Sequence, residues 1–404
     1  MIPPNKTISS TTATRWGNNH IPSDIVLNIL AKLPVKSVMR FRCVRKSWDS
    51  SITTPYFIST HLNNNNNSCN KNHDNGYVIH MSNLYPPYNR PVCTVALGRT
   101  FDRISEVQYP FEFTPGGAHV FGSCNGLLLC LADFGKVIYL WNPSIKKFKK
   151  LPGTCLGKLD KFTDLTVGFA YHSENNDYKV VRISCSIFWP TEPLPLPEVE
   201  VYTLSLDSWR RVGYNLTTNV KFINNYCFLP IPLVSGALHW MVGIIEGEEN
   251  RIIALAFDVN SEKFKKLALP YGFIEADTLH RYLASFKEKL AFITCEPIEQ
   301  PGFPCQYSIW VMKEYGIAES WNKLFVIPFE REVQCLAFTE YGSLLFGHIY
   351  DPVERQRQQE VFKFVLVDTE TPHEKKDPDI QCPSSVATFM ESLVLLDGPN
   401  VASY

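Results

Sequence analysis

The chain has 404 residues, 39 Lys and Arg against 40 Asp and Glu, a formal net charge of −1, and 45% hydrophobic and 13% aromatic residues. That balance excludes a binder relying on phosphate neutralisation, which needs a basic surplus, and the apolar content excludes a disordered, solvating chain. The length exceeds the ~250–300 residues at which a single core stops growing, so one large domain with a smaller one, or a repeat array, is expected.

Residues 1–19 are polar and rich in Thr, Asn and Ser, and are expected to form a disordered lead. They contain no apolar run of the kind a secretory signal needs, and the longest apolar stretch, Leu127 to Ala132, falls well short of the ~18 residues of a membrane span. The expectation is a cytoplasmic or nuclear chain with no membrane or nucleic-acid partner. The twelve cysteines form no C-x-x-C pair, and the nearest two, Cys124 and Cys130, read as core thiols on strand faces. No metal and no cofactor is expected. Three Asn-x-Ser/Thr sequons, at Asn5, Asn66 and Asn215, carry no weight in a cytosolic chain.

From residue 20 to 62 the pattern is helical. Ser23 and Asp24 are suited to cap a helix start, Ile25, Val26, Ile29, Leu30 and Leu33 recur at helical spacing, and Pro34 ends the run. A second helix is expected from about Lys36, with Val38, Phe41, Val44 and Trp48 at three- and four-residue steps and Arg40, Arg42, Arg45 and Lys46 in solvent. Between Ile21 and Trp48 six basic residues, Lys32 and Lys36 with those four, stand against Asp24, a net of +5. About forty residues of short helices make a poor core on their own. With neither metal nor disulfide pattern, a protein partner is the economical inference, and the charge suits an acidic one.

Residues 63–76 open with the run Asn63–Asn67 and remain polar, which reads as a linker. Beyond it, from 77 to 404, short β-rich runs alternate with Pro, Gly, Asn and Asp. Strands are expected at Leu127–Leu131, Val137–Trp141, Tyr178–Ile183, Val199–Leu206, Ala237–Val242, Ile252–Phe257, Lys289–Thr294, Tyr307–Met312, Leu344–Phe346 and Phe362–Val367.

This region repeats. An apolar strand, a turn, then an aromatic, basic residues and an aliphatic recur with anchors at Phe148, Trp209, Phe264, Trp321 and, with the aromatic lost, Glu374, spaced 61, 55, 57 and 53 residues apart. Phe101 to Ile104 reads as a degenerate earlier copy, making about six units. The period is near the ~40–50 residues of a four-stranded propeller blade with longer loops. Each unit leaves an apolar face that only a neighbour can cover, and ring closure hides the edges. The basic doublets after the aromatics are expected in solvent.

No G-x-S-x-G, H-E-x-x-H, P-loop or G-x-G-x-x-G motif is present, the ten His residues are scattered, and His119, His172, His239 and His280 have no partner at ligand spacing. No catalytic residue is assigned. The Pro-rich stretch Pro190–Pro197 reads as a stiff insertion or a contact loop.

The segment Ile21-Pro22, Ile29-Leu30-x-x-Leu33-Pro34-Val35-Lys36-Ser37, Arg40-Phe41-Arg42-Cys43-Val44 and Lys46-Ser47-Trp48, followed by Ile52, Pro55 and Phe57, resembles an F-box. The rest of the chain is similar to plant F-box proteins with an F-box-associated, kelch-like domain, the S-locus F-box proteins among them. The likeness rests on Gly122-Ser123-Cys124-Asn125-Gly126-Leu127, Trp141-Asn142-Pro143, Tyr178-Lys179-Val180-Val181-Arg182-Ile183, Asp207-Ser208-Trp209-Arg210, Ile309-Trp310-Val311-Met312-Lys313-Glu314-Tyr315-Gly316 with Glu319-Ser320-Trp321, and Met390-Glu391-Ser392-Leu393-Val394. The resemblance implies a small all-α module followed by an all-β, propeller-like domain. It implies a non-catalytic receptor subunit of an SCF ubiquitin ligase that docks a Skp-type adaptor, and through it a cullin scaffold, and holds a target protein for degradation. A non-proteolytic scaffold, or a propeller enzyme with an appended helical domain, are the alternatives. By resemblance Ile21, Pro22, Ile25, Ile29, Leu30, Leu33, Pro34, Val38 and Val44 meet the adaptor or support the helices that do. Sequence alone does not separate contact from core among them, with Ile25 and Val44 evenly balanced.

Overall fold

A computed structural model describes residues 21–71, 76–82, 93–110, 118–132, 137–156, 163–186, 196–218, 220–223, 229–246, 249–270, 280–297, 305–348, 363–371, 375–378, 380, 384–395 and 400–404. The polar lead at 1–19, with Asn5, and most of the Pro-rich stretch, 190–195, lie outside them. Among the described residues no helix is long and apolar enough to cross a membrane.

Among the described residues four helices come first: α1 (Ser23–Leu30), α2 (Val35–Arg42), α3 (Lys46–Ile52) and α4 (Pro55–Lys71). The expected cap at Ser23 and Asp24 is not formed. Both lie inside the first turn of α1, which starts from Pro22 with no side-chain cap, and Asp24 sets its carboxylate at the positive end of the helix dipole. The second helix expected from Lys36 is two helices, because Arg45 is extended, with φ −153°, between α2 and α3. Phe41 and Trp48 still meet edge to face across that break, with ring centroids 5.7 Å apart. The expected linker at 63–76 is also different: α4 runs through the asparagine run to Lys71. Its amides find carbonyls, with Asn64 Nδ2 donating to Ala31 O at 3.1 Å and Asn65 Nδ2 to Glu391 O at 3.2 Å. Ala31 ends α1, where carbonyls lack helical partners. An asparagine there is a ligand for backbone and not merely a solvated residue.

The remaining described residues form six antiparallel sheets. Blade 1 holds β1 (Tyr77–Ser82), β2 (Cys93–Leu97) and β3 (Arg103–Val107). Blade 2 holds β4 (Ala118–Cys124), β5 (Leu127–Ala132), β6 (Val137–Asn142) and β7 (Lys147–Lys150). Blade 3 holds β8 (Thr163–His172), β9 (Asp177–Ser186), β10 (Glu198–Thr203) and β11 (Ser208–Val212). Blade 4 holds β12 (Val220–Phe222), β13 (Leu233–Val234), β14 (Ala237–Glu246), β15 (Glu249–Asp258) and β16 (Lys263–Ala268). Blade 5 holds β17 (His280–Phe286), β18 (Lys289–Pro297), β19 (Cys305–Met312) and β20 (Trp321–Phe329). Blade 6 holds β21 (Val333–Phe338), β22 (Ser343–His348), β23 (Phe364–Asp368) and β24 (Lys375–Lys376). Then β25 (Ser384–Phe389) returns to blade 1 as its innermost strand, and β26 (Val401–Ser403) adds an outermost strand to blade 2. Innermost strands, with β14 in that place at blade 4, touch neighbour to neighbour around the circle, giving a six-bladed β-propeller.

The expected strands lie on these elements. The run Val199–Leu206 stops at Thr203 because Leu204–Asp207 is a turn, and Phe362 is outside the described residues. The anchor aromatics sit where the repeat puts them, on the fourth strand from the centre facing the third: Phe148 opposite Trp141, Trp209 opposite Tyr202, Phe264 opposite Phe257 and Trp321 opposite Met312. Glu374 lies outside the described residues. The degenerate copy corresponds to blade 1, where Phe101 is fully buried in the turn before β3 at φ 61°.

Six apolar clusters fill the six seams between blades. The seam between blades 5 and 6 packs Tyr307, Phe329 and Phe346, and the ring-closing seam between 6 and 1 packs Phe101, Leu345 and Phe364. Burial of this kind is the main stabilising term. In the closing seam Tyr341 fills the space where Gly76 and Gly98 lack side chains; a Cβ at either would lie 1.8 or 2.1 Å from its ring.

Antiparallel order puts the hairpins joining first to second and third to fourth strands, counted from the centre, on one face, which we term the near face. Left-handed residues concentrate in its turns, among them Asn125, Lys146, Asn176, Asp207 and Glu262. The strand ends that face the second-to-third and blade-to-blade connections lie at the opposite face, the far face.

Ion pairs bridge seams on the near side. Lys149 Nζ lies 3.0 Å from Asp207 Oδ2, Lys179 Nζ lies 2.9 Å from Glu262 Oε1, and Arg99 Nε lies 2.6 Å from Asp368 Oδ2. Burial opposes the charge on Asp207, but Lys149, Tyr202 and Asn400 together hold its carboxyl below the ordinary value. Lys149 therefore departs from the expectation that the basic doublets face solvent: it is 1% exposed, because blade 3 brings a carboxylate over it. Arg210, Lys265, Lys266 and Lys323 are exposed as expected. Between blades 4 and 5, buried His239 pairs its Nε2 with the Tyr315 hydroxyl at 2.8 Å. Burial pushes His239 from 6.5 down to about 4.

Between pH 6.5 and 4 the unfolded chain binds a proton that folded His239 refuses, so stability falls as pH falls through this window. We expect this group to contribute about 2 kcal/mol less at pH 5 than at pH 7. Urea midpoints at the two pH values should differ less in His239→Gln than in the parent chain, and equal differences would contradict the assignment.

Candidate docking module and its seat on the propeller

The helices share one small core. Leu30, Ala31, Val35, Val38, Ile52 and Phe57 are buried together, with Leu33, Phe41 and Trp48 packed against them. Two members come from the propeller: Ile145, in the 3-10 turn Pro143–Ile145 between β6 and β7, and Leu393, in the crossover between β25 and β26. The helical module is thus completed by the near face of blade 2.

Several of the quoted sequence motifs meet at this seat. Asn142, at the end of β6, is fully buried and its amide nitrogen donates to Ser392 O at 2.9 Å and Val394 O at 2.7 Å. Its Oδ1 accepts from Ser144 N at 2.9 Å, which shapes the 3-10 turn. Gly126, in the β4–β5 turn, has φ +79°, and a Cβ there would lie 2.4 Å from Ser392 Cβ and 2.5 Å from Met390 O. Ser123 Oγ donates to Thr388 O at 2.5 Å. The crossover so clamped offers Glu391, whose Oε2 accepts from Val35 N at 3.0 Å at the start of α2. Beside it His61 Nε2 bonds Leu33 O at 2.9 Å, and burial lowers the His61 pKa, consistent with a neutral ring donating to that carbonyl.

The other motifs are joints as well. Lys179 reaches blade 4, donating to Val259 O at 2.8 Å as well as Glu262, while Arg182 forms a buried pair with Glu200 on the adjacent strand. Glu200 also accepts from Cys155 N at 2.9 Å, fixing the link between blades 2 and 3. Trp209 Nε1 donates to Pro152 O at 2.8 Å and Trp321 Nε1 to Ala268 O at 2.9 Å, the same anchor at two blades. Cys124 and Cys130 lie on β4 and β5, and burial pushes the Cys124 thiol up to about 12 and Cys130 higher still.

The nine F-box residues divide by exposure. Leu30 and Val38 are buried in the core and Leu33 is half-buried. Ile21, Ile25, Ile29 and Val44 are 47–64% exposed, and Pro22 and Pro34 are exposed as well. Ile25 and Val44 are therefore outside the core. Lys32, Lys36, Arg40, Arg45 and Lys46 are exposed around them, whereas Arg42 turns onto Asp49 at 2.6 Å. Sequence reasoning passed over Tyr56, 81% exposed at the start of α4, and the roles of Asn142, Glu391 and Leu393. The last three stood in motifs already noticed, but their meeting at blade 2 is a property of the closed ring.

A helical module with uncovered apolar residues, fixed to one face of a six-bladed propeller, defines a docking subunit with a large β domain. The chain matches the F-box domain family over residues 19–60 and the F-box associated beta propeller domain family over residues 105–394, and so belongs to the F-box proteins that carry this propeller. Membership implies a substrate-adaptor role in an SCF complex and binding to a Skp-type adaptor, and such chains are normally non-catalytic. Among its relatives are the F-box/kelch-repeat protein At3g23880 of Arabidopsis thaliana, 25% identical over 80% of this chain and 83% of that protein, and F-box protein CPR1 of the same plant, 24% identical over 79% and 75%.

Gly126→Ala should destabilise the chain by about 1–3 kcal/mol through the left-handed backbone, with the close approach to Met390 O adding to it. Gly213→Ala, with open space around the new Cβ, should be within about 0.5 kcal/mol of the parent. Denaturant unfolding of both variants checks the contrast.

Proposed function

We propose that the chain is the target-binding receptor of an SCF ubiquitin ligase, in which Ile21, Pro22, Ile25, Ile29, Pro34 and Val44 contact the adaptor while Leu30, Leu33 and Val38 shape the helices behind them. The observation that carries this is the exposure of four large aliphatic residues on a module whose own core is already filled. Scattered apolar side chains on a surface need no explanation, but several on one small module are what a partner covers. The exposed cations Lys32, Lys36, Arg40, Arg45 and Lys46 favour an acidic partner and speed encounter.

The propeller then holds a target protein, and the work is done by proximity. Lysines of the bound target reach a high effective concentration near the activated ubiquitin, whose thioester chemistry belongs to other subunits. Target contacts belong on loops between strands, since a rigid scaffold with variable loops is how such folds recognise partners. The far-face ends of the strands support this reading, because they point away from the helices and leave both surfaces free at once.

Full-length chain should bind a Skp-type adaptor, and Ile29→Asp with Val44→Asp should weaken it by about 100-fold, about 2.7 kcal/mol, with the propeller still folded by circular dichroism. Affinity should also fall as salt rises from 50 to 500 mM. Binding unchanged by the double substitution would sink the docking assignment. Target levels that are equal with the parent and the doubly substituted chain would point to a scaffold and away from a degradation receptor.

A further inference from the structure

We propose that Glu391 and Leu393 are positioning residues of the adaptor-docking module, so that the closed propeller, and not the helices alone, forms the face the adaptor binds. The inference rests on the adaptor-docking reading and extends it to residues with no place in that face.

Helix α2 cannot finish its own start. Pro34 occupies the cap position and offers no side-chain acceptor, and there is no acidic residue in the first turn. The leading N–H, at Val35, would go unpaired without the Glu391 carboxylate at 3.0 Å. That carboxylate also faces the positive end of the helix dipole. On the other side of Pro34, Leu33 O is held by His61 Nε2 at 2.9 Å, and His61 is fully buried beneath. Pro34, exposed between α1 and α2, is thus pinned at the residue before it and the residue after it. Asn65 grips the same crossover through Glu391 O at 3.2 Å, tying α4 to the seat. Below, Leu393 is 1% exposed against Leu30, Val35, Val38 and Ile145. The relative pose of α1 and α2, which sets how Ile29 and Pro34 are presented, therefore depends on a segment that Asn142 and Gly126 clamp to blade 2.

The experiment uses full-length chain carrying Glu391→Ala, Glu391→Gln or Leu393→Ala, with two readouts: affinity for a Skp-type adaptor, and hydrogen exchange of Val35–Arg42 compared with β4–β7. Glu391→Ala should exchange faster across α2, leave β4–β7 unchanged and bind the adaptor about tenfold more weakly. Glu391→Gln keeps an oxygen acceptor and should restore most of both, while Leu393→Ala should lose more than Glu391→Ala. If Glu391→Ala binds like the parent, or exchanges like it, the positioning role is overturned while adaptor docking stands. Loss that Gln does not restore overturns it as well. A parent chain that fails to bind the adaptor overturns both.

Discussion

One buried amide holds the arrangement together. Asn142 gives both of its N–H groups to the crossover carbonyls of Ser392 and Val394 and accepts from Ser144 N with its oxygen. Only an amide side chain supplies two donors and an acceptor from one planar group, so an aspartate of the same shape would set a carboxylate against two carbonyls in a dry site. With the crossover fixed, β25 lies in blade 1 and β26 on blade 2, and the seam between blades 6 and 1 has its cover. The same fixed segment is the floor on which the helices rest.

The two faces of the ring have different physical characters. Near-face turns are tight, carry left-handed residues and are cross-linked by the Lys149–Asp207, Lys179–Glu262 and Arg99–Asp368 pairs. Such pairs contribute little when exposed, but Lys149, Lys179, Asp368 and Glu262 are mostly removed from water, where a lost partner leaves an uncompensated charge. The near face is thereby a rigid mount. The strand ends at the other face lie away from the helices, and the proposal above puts target recognition there.

Much of this was legible in the residues. Apolar runs between Gly, Asn and Asp located the strands, and the recurring anchor aromatics gave the unit that the neighbouring blade completes. The helical faces of α1 and α2 were legible too, although periodicity could not say whether Ile25 and Val44 would be covered. That depended on Ile145 and Leu393, which belong to another part of the chain. The asparagine run was misread because composition describes what a segment prefers in isolation, whereas Asn64 and Asn65 meet unsatisfied carbonyls only once α1 and the crossover are in place. Lys149 was misread for the same reason: its carboxylate partner is on the next blade. Motifs that carried the family likeness, such as Tyr178 to Ile183 and Ile309 to Gly316, supply joints between blades.

The bond from Val35 to Glu391 spans 356 positions in the chain. A ribosome releases α1 and α2 long before it reaches their cover, at a pace of about 5–20 residues per second. For that interval the helices have a leading amide without an acceptor and an apolar core open where Leu393 will sit. Contacts this distant in sequence form late, after loop-closure entropy has been overcome. The order of synthesis thus puts the helices ahead of the segment that covers them, and α2 gains its acceptor only once the ring has closed.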